Sequence, residues 1–167
     1  CSMKRATRVF ALLISLTMLT GVASAASLTT DAVVTIVEGI TISETQQMNF
    51  GTLALNDGNV VLATDGATTD DNALIFDATG IVPATFDVDA PENASLSVTI
   101  SPAAEADGLV LTDPTVAWNG GASGASPQTY TAGAVPDVLT VGATLKQEGS
   151  TVGASKNVEY DVVIVFP

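Results

Sequence analysis

The side chains of this chain that could do chemistry are almost all carboxylates. Asp65, Asp70, Asp71 and Asn72 crowd one short polar stretch, and oxygen donors in such a run are what Ca²⁺, a hard cation, takes. Their order departs from an EF-hand loop, because Gly66 follows the first aspartate directly and no glutamate closes the set. An acidic surface loop accounts for them equally well. Asp87 and Asp89 alternate along a predicted strand, so both carboxyls project from its outward face. Paired carboxylates can hydrolyse glycosides, but one of them needs a pKa raised by an apolar pocket, and nothing in the pattern nominates it. Trp118 and Tyr130 flank a glycine-rich stretch and read either as a sugar-stacking platform or as a core anchor. Ser155-Lys156 is too isolated for a catalytic dyad. Asn93-Ala94-Ser95 is a glycosylation sequon that coincides with a predicted turn.

What is missing weighs more. Beyond residue 25 there is no cysteine, histidine or arginine, and the only lysines are Lys146 and Lys156. Proton transfer, nucleophilic attack and charge clamping near neutral pH draw mostly on those four residue types. The expectation is a non-catalytic protein with no cofactor and no metal centre.

Lys4, Arg5 and Arg8 precede an apolar run from Val9 to Leu19, and Ala23-Ser24-Ala25 follows it. A basic start, an apolar middle and a small-x-small site make residues 1–25 a predicted signal peptide, with Cys1-Ser2 ahead of the start methionine as a start-site artefact. The apolar run is too short for a membrane span, which needs about 20 residues. Cleavage would leave two lysines against all eighteen acids, a net charge of −16 instead of the −13 of the whole chain. Such a surface repels nucleic acid, whose binding rests on Lys and Arg neutralising phosphates. A hydrophobic fraction of 47% argues for a packed core over disorder. The expected product is secreted through the periplasm to the cell surface or beyond, with no membrane insertion after cleavage.

Residues 26–167 read as one domain of strands. Leu28 to Ile42 alternates through Ala32, Val34, Ile36, Ile40 and Ile42, with Gly39 marking a bend. Met48–Leu53 and Val60–Ala63 flank Asn56-Asp57-Gly58-Asn59, a hairpin signal. Residues 65–72 read as a loop. Ile81–Asp89 and Leu96–Ser101 alternate around Ala90-Pro91-Glu92-Asn93 and are expected to pair as a hairpin. Leu74–Phe76, Leu109–Leu111, Val116–Trp118 and Val138–Leu145 are further strands, with a loop at 120–128. In the last strand Val158, Tyr160, Val162, Ile164 and Phe166 share one face, opposite Asn157, Glu159 and Asp161. No segment beyond the leader keeps a helical period. The fold class is all-β, an immunoglobulin-like antiparallel β-sandwich of about eight to ten short strands.

The order of Met48-Asn49-Phe50-Gly51-Thr52, Ala78-Thr79-Gly80, Val141-Gly142-Ala143-Thr144-Leu145, Gly149 and the terminal Tyr160–Phe166 resembles the secreted bacterial family known as domain of unknown function 4402. That family is similar to spore-coat-U-like and fimbrial subunits of chaperone–usher pathways. The resemblance implies a pilus-like subunit that polymerises with copies of itself, handled by a periplasmic chaperone and usher. It also implies strand addition, in which main-chain hydrogen bonds give strength and alternate side chains enter pockets. Residues 28–42 meet the chemical requirement for the added strand, with Val34, Ile36, Ile40 and Ile42 as pocket-fillers. The same alternation fits an integral first strand. The alternative function is a monomeric extracellular module binding glycan or Ca²⁺.

Overall fold

The computed structural model describes residues 39–134, 136–150 and 155–167. The leader expected at 1–25 and the candidate residues Val34 and Ile36 lie outside the described residues. The strands run β1 (Thr41–Gln46), β2 (Thr52–Leu53), β3 (Gly58–Leu62), β4 (Thr68–Asp70), β5 (Ile75–Asp77) and β6 (Ala84–Asp89). They continue as β7 (Ser95–Pro102), β8 (Leu109–Trp118), β9 (Gly124–Ala125), β10 (Gln128–Thr131), β11 (Asp137–Gln147) and β12 (Tyr160–Val165). All pairings between them are antiparallel. The described residues thus form an all-β sandwich of twelve strands. The strand count exceeds the sequence expectation because β4 and β9 are short pairings inside stretches predicted as loops.

The larger sheet is organised by β11. One side of β11 pairs with β8 from Leu139↔Trp118 to Gln147↔Leu109. Its other side pairs with β6 along the first half and with β3 along the second. β1 then flanks β6, β4 flanks β3 and β9 flanks β8. The second sheet has the order β10-β7-β12, and β2 pairs with β5 apart from both.

Alternation decides what is buried. On β11, Leu139, Val141, Ala143 and Leu145 point inward, as do Ala84, Phe86 and Val88 on β6 and Leu96, Val98 and Ile100 on β7. The two sheets meet in a cluster that joins these β6 and β7 residues to Val116, Trp118, Leu139 and Val141. Leu109, Leu111, Ala143 and Leu145 form a second cluster, against which Phe50, Leu53 and Val158 pack. Each such buried aliphatic or aromatic side chain contributes about 1.5–3 kcal/mol.

Two pairings differ from the sequence expectation. β6 lies between β1 and β11, whereas β7 lies between β10 and β12, so these neighbours in sequence belong to opposite sheets. The chain crosses the core at Pro91–Asn93, where Asn93 adopts φ 64 and its N–H donates to the Ala132 carbonyl at 2.9 Å. Both strands carry an unbroken apolar row, and two such rows bury each other best face to face across layers. Likewise β2 does not return into β3. It pairs with β5, while β3 pairs with β11 and β4. The working hairpin turn is the next Asp-Gly, where Gly66 takes φ 83 and Asp65 Oδ1 accepts the Ala67 N–H at 2.9 Å.

One buried carboxylate ties the sheet together. Asp137 is 1% exposed; it accepts hydrogen bonds from Asn119 Nδ2 at 2.7 Å and from the Gly133 N–H at 2.8 Å. Asn119 in turn accepts the Val138 N–H at 2.7 Å, locking the end of β8 to the start of β11. Asp137→Ala strands two donors, and a buried polar group without its partner costs about 1–3 kcal/mol. The expected loss is about 3 kcal/mol by urea unfolding, with Asp137→Asn losing less because one carbonyl still accepts.

Candidate functional site

The carboxylates singled out by sequence are spoken for by the backbone. Asp70 Oδ2 accepts the Ile75 N–H at 2.9 Å, and Asp71 accepts both the Asn59 N–H and, at 3.0 Å, Asn59 Nδ2. The Asn59 N–H, followed by its side chain, holds the Asp71 carboxyl below the usual carboxylate range. Asn72 Nδ2 donates to the Asp57 carbonyl at 2.9 Å. Among the described residues no group of three or more acidic, histidine or cysteine side chains could hold a metal ion. Asp87 and Asp89 stand on the outward face of β6, opposite Ser43 and Thr41.

Trp118 is 9% exposed and stacks on Tyr130, with ring centroids 5.2 Å apart and planes 13° from parallel. Tyr130 donates to the Val116 carbonyl at 3.2 Å. Each ring covers the other, which makes the pair an anchor between sheets, not a sugar platform. Lys156 pairs with Asp107 at 3.1 Å. A groove of about 610 Å³ runs over the outer face of the larger sheet, past Thr69, Thr112, Asp113, Thr144 and Lys146. Val61 interrupts its mostly polar lining residues, and it carries no aromatic side chain.

The unusual chemistry lies in the sheet edges. An unpaired edge strand offers free N–H and C=O groups, and proteins blunt such edges with short strands, charge or proline. β4 is three residues long and ends in Asp70, β9 is two residues long, and β10 is four residues long and follows Pro127. β1 and β12, by contrast, are each six residues long, and among the described residues each is paired on one side only.

These two edges border a common groove of about 260 Å³, lined by Ile42, Glu44, Phe86, Tyr160, Asp161 and Val162. On β1 the inward row is Ile42 and Glu44, opposite Val88 and Phe86 of β6. Ile42 is nevertheless 42% exposed, and Ile40, just before it, is half-buried against the main core. On β12 the inward Tyr160, Val162 and Ile164 are only half-buried. Its outward Val163 and Val165 are 47% and 48% exposed. Among the described residues the sandwich is therefore open along one side, and the strand bordering that side carries Val163 and Val165 beside Asp161 on its outward face.

Tyr160 stands at the junction of the two core clusters, packing against both. Its hydroxyl is shielded from solvent and makes no hydrogen bond among the described residues. Burial, with the Glu44 carboxylate second, pushes its pKa up to about 12, so the hydroxyl remains a neutral donor at physiological pH.

Of the four sequence-predicted residues, the structure places Ile42 on the groove wall within β1, while Ile40 precedes β1 and packs against the main core. Sequence reasoning missed β12 as the other wall of the groove. The signal was present, since polar alternation ends at Asp161 and the strand continues through Val163 and Val165.

Residues 40–164 match the family model described as Domain of unknown function (DUF4402). No curated protein and no solved structure matches the chain. Among the described residues no helix is long and apolar enough to cross a membrane.

Proposed function

The chain belongs to this family of unknown function, and we propose that it is a secreted, non-catalytic structural subunit of the cell surface, assembling into a fimbria-like polymer by strand addition. The observation that carries this reading is the pair of six-residue edges, each paired on one side only among the described residues, that flank one groove where Ile42, Phe86, Tyr160 and Val162 stand beside Glu44 and Asp161. A soluble monomer that left the β12 edge open with Val163 and Val165 exposed would be an aggregation hazard. A protein whose working state has a further strand there gains main-chain hydrogen bonds and covers the half-buried inward row of β12.

The added strand comes from residues 28–37 of a neighbouring copy. Ile42 stands on the receiving wall and Ile40 packs against the core of the same subunit, which leaves Val34 and Ile36 as the pocket-fillers of the donor. A head-to-tail contact of this kind does not close on itself and so builds filaments. During export the same opening needs a temporary occupant, the part a periplasmic chaperone and usher would take. The absence of reactive side chains and the acidic surface suit a scaffold exposed to an aqueous exterior.

Negative-stain electron microscopy of the exported chain tests this directly. The expected result is filaments that shorten when a synthetic peptide of residues 27–38 is added in excess. Dispersed particles of single-subunit size, indifferent to the peptide, would sink the reading. A glycan- or Ca²⁺-binding module finds no comparable support, because Asp65, Asp70 and Asp71 are engaged by backbone N–H groups and Trp118 is covered.

A further inference from the structure

We propose that Asn119-Gly120 is a deamidation site guarded by the Asp137 carboxylate, so that it is converted only in chains whose β8–β11 junction has opened. The site stands apart from strand addition. Of the chain's asparagines, Asn119 alone precedes a glycine. With no Cβ on the following residue to shield it, the Gly120 nitrogen can close on the Asn119 side-chain carbonyl carbon. The N–Cγ bond forms, the amide nitrogen leaves as ammonia with the Gly120 N–H proton, and a succinimide ring remains. Water then opens either ring carbonyl, giving aspartate or isoaspartate and one new carboxylate. Both residues are exposed, and nothing lies within 4 Å of the Cβ position of Gly120, so the turn is open to solvent.

In the folded chain the ring closure is opposed at the atoms it needs. Asn119 and Gly120 take φ 51 and 69, and the Gly121 N–H closes the turn on the Trp118 carbonyl at 2.9 Å. The Asn119 N–H donates to the Val138 carbonyl at 2.8 Å. Its side chain is held at both ends: Oδ1 accepts the Val138 N–H and Nδ2 donates to Asp137 Oδ1, each at 2.7 Å. Bringing Cγ to bonding distance of the Gly120 nitrogen pulls both atoms off these partners. It also leaves the carboxylate of Asp137, 1% exposed, short of one donor. The leaving nitrogen must gain a proton, and an acceptor beside it supplies none. Once converted, the side chain has the wrong sign for the same socket. A carboxylate at position 119 would meet Asp137 where a donor stood, and two like charges at such a distance repel. The change is therefore a lasting mark of chains that have opened or stayed unfolded.

Peptide mapping of the exported chain tests this, using a protease that cuts before aspartate. It releases residues 113–136 as one peptide, or 113–160 in Asp137→Asn. Mass and fragmentation then report conversion at position 119, where a new cut marks the aspartate product. At equal pH and temperature, the folded chain should convert about tenfold more slowly, or slower still, than the same chain held in urea. Asp137→Asn keeps an accepting carbonyl without the charge. It should convert about fivefold faster than the parent, at a temperature below the thermal midpoints of both. Asn119→Asp stands for the converted chain and should lower the thermal midpoint by about 5 °C or more. Equal rates in the folded chain and in urea would overturn the guard. A faster rate in the folded chain would overturn it too, because the Val138 N–H on Oδ1 would then be activating the amide. Conversion unchanged by Asp137→Asn would remove Asp137 from the proposal, and an Asn119→Asp chain as stable as the parent would remove the mark.

Discussion

Alanine at position 142 is expected to abolish folding, or to cost about 4 kcal/mol or more, measured by far-ultraviolet circular dichroism in urea. Gly142 stands where β11 changes partner, from β6 before it to β3 after it. Two strands converge on one side of β11 at that point, while Thr115 of β8 lies opposite on the other. A Cβ there would overlap the Leu62 carbonyl oxygen outright and lie 2.9 Å from the Ala63 carbonyl carbon and 3.0 Å from the Thr64 nitrogen. All three are backbone atoms, so no rotamer change relieves the clash. Overpacking a core side chain costs about 1–3 kcal/mol. Here the relief must come from prying β3 off β11, which exposes Leu62, Ala143 and Leu145 together. Gly39→Ala is the matched control: nothing lies within 4 Å of its Cβ position, and its stability should stay within about 0.5 kcal/mol of the parent. A well-folded Gly142→Ala variant would mean that the partner switch is looser than these distances require.

The same junction shows what the sequence could and could not disclose. Alternation identified the inward rows of β6, β7 and β11, because side-chain period two follows from strand geometry whatever the partner. Partner choice is not written in that period. Phe86-Val88 and Leu96-Val98 would look the same in a hairpin and across two layers, and only the shortage of other apolar surface to cover both rows puts them face to face. Turn chemistry was equally ambiguous: Asp57-Gly58 and Asp65-Gly66 carry the same signal, yet only the second closes a hairpin between paired strands. At Asp57 the carboxylate instead accepts the Gly149 N–H at 2.9 Å, a contact 92 residues away in sequence.

Site residues were legible to the same degree. The alternation ending in Ile40 and Ile42 marked a strand with one apolar face, and it could not say whether that face belongs to a subunit's own sheet or to its neighbour's. Carboxylates were over-read for a related reason. A cluster of aspartates is also what a chain needs to cap turns and strand ends, and Asp65, Asp70 and Asp71 each do so. An open edge is a property of topology, since every strand has two edges until the whole order is known. What the sequence did carry was Val163 and Val165 on the supposedly polar face of the last strand.

The exposure of Ile42 makes possible a substitution that separates folding from assembly. Ile42→Lys is expected to leave the thermal midpoint nearly unchanged, because a side chain already 42% exposed lets the lysine stem lie along the wall with its ammonium in water. Assembly should fall by about tenfold or more, since an arriving strand would have to cover that ammonium beside Phe86 and Val162, in a groove where only Glu44 and Asp161 can offset its charge. Val165→Lys, on the outward face of β12, adds the same charge at a comparably exposed position and should assemble almost as well as the parent. The contrast isolates the inward row from any general effect of charge. A head-to-tail polymer adds a sharper consequence. The Ile42→Lys chain keeps its residues 28–37 and can still enter a neighbour, but nothing can enter it, so each molecule incorporated ends a filament. Small amounts mixed with parent chain should shorten filaments in proportion to their mole fraction, as counted by electron microscopy. If filaments keep their length while the variant is left behind in solution, position 42 acts in donating and not in receiving, and the wall formed by β1 is not the one a neighbour uses.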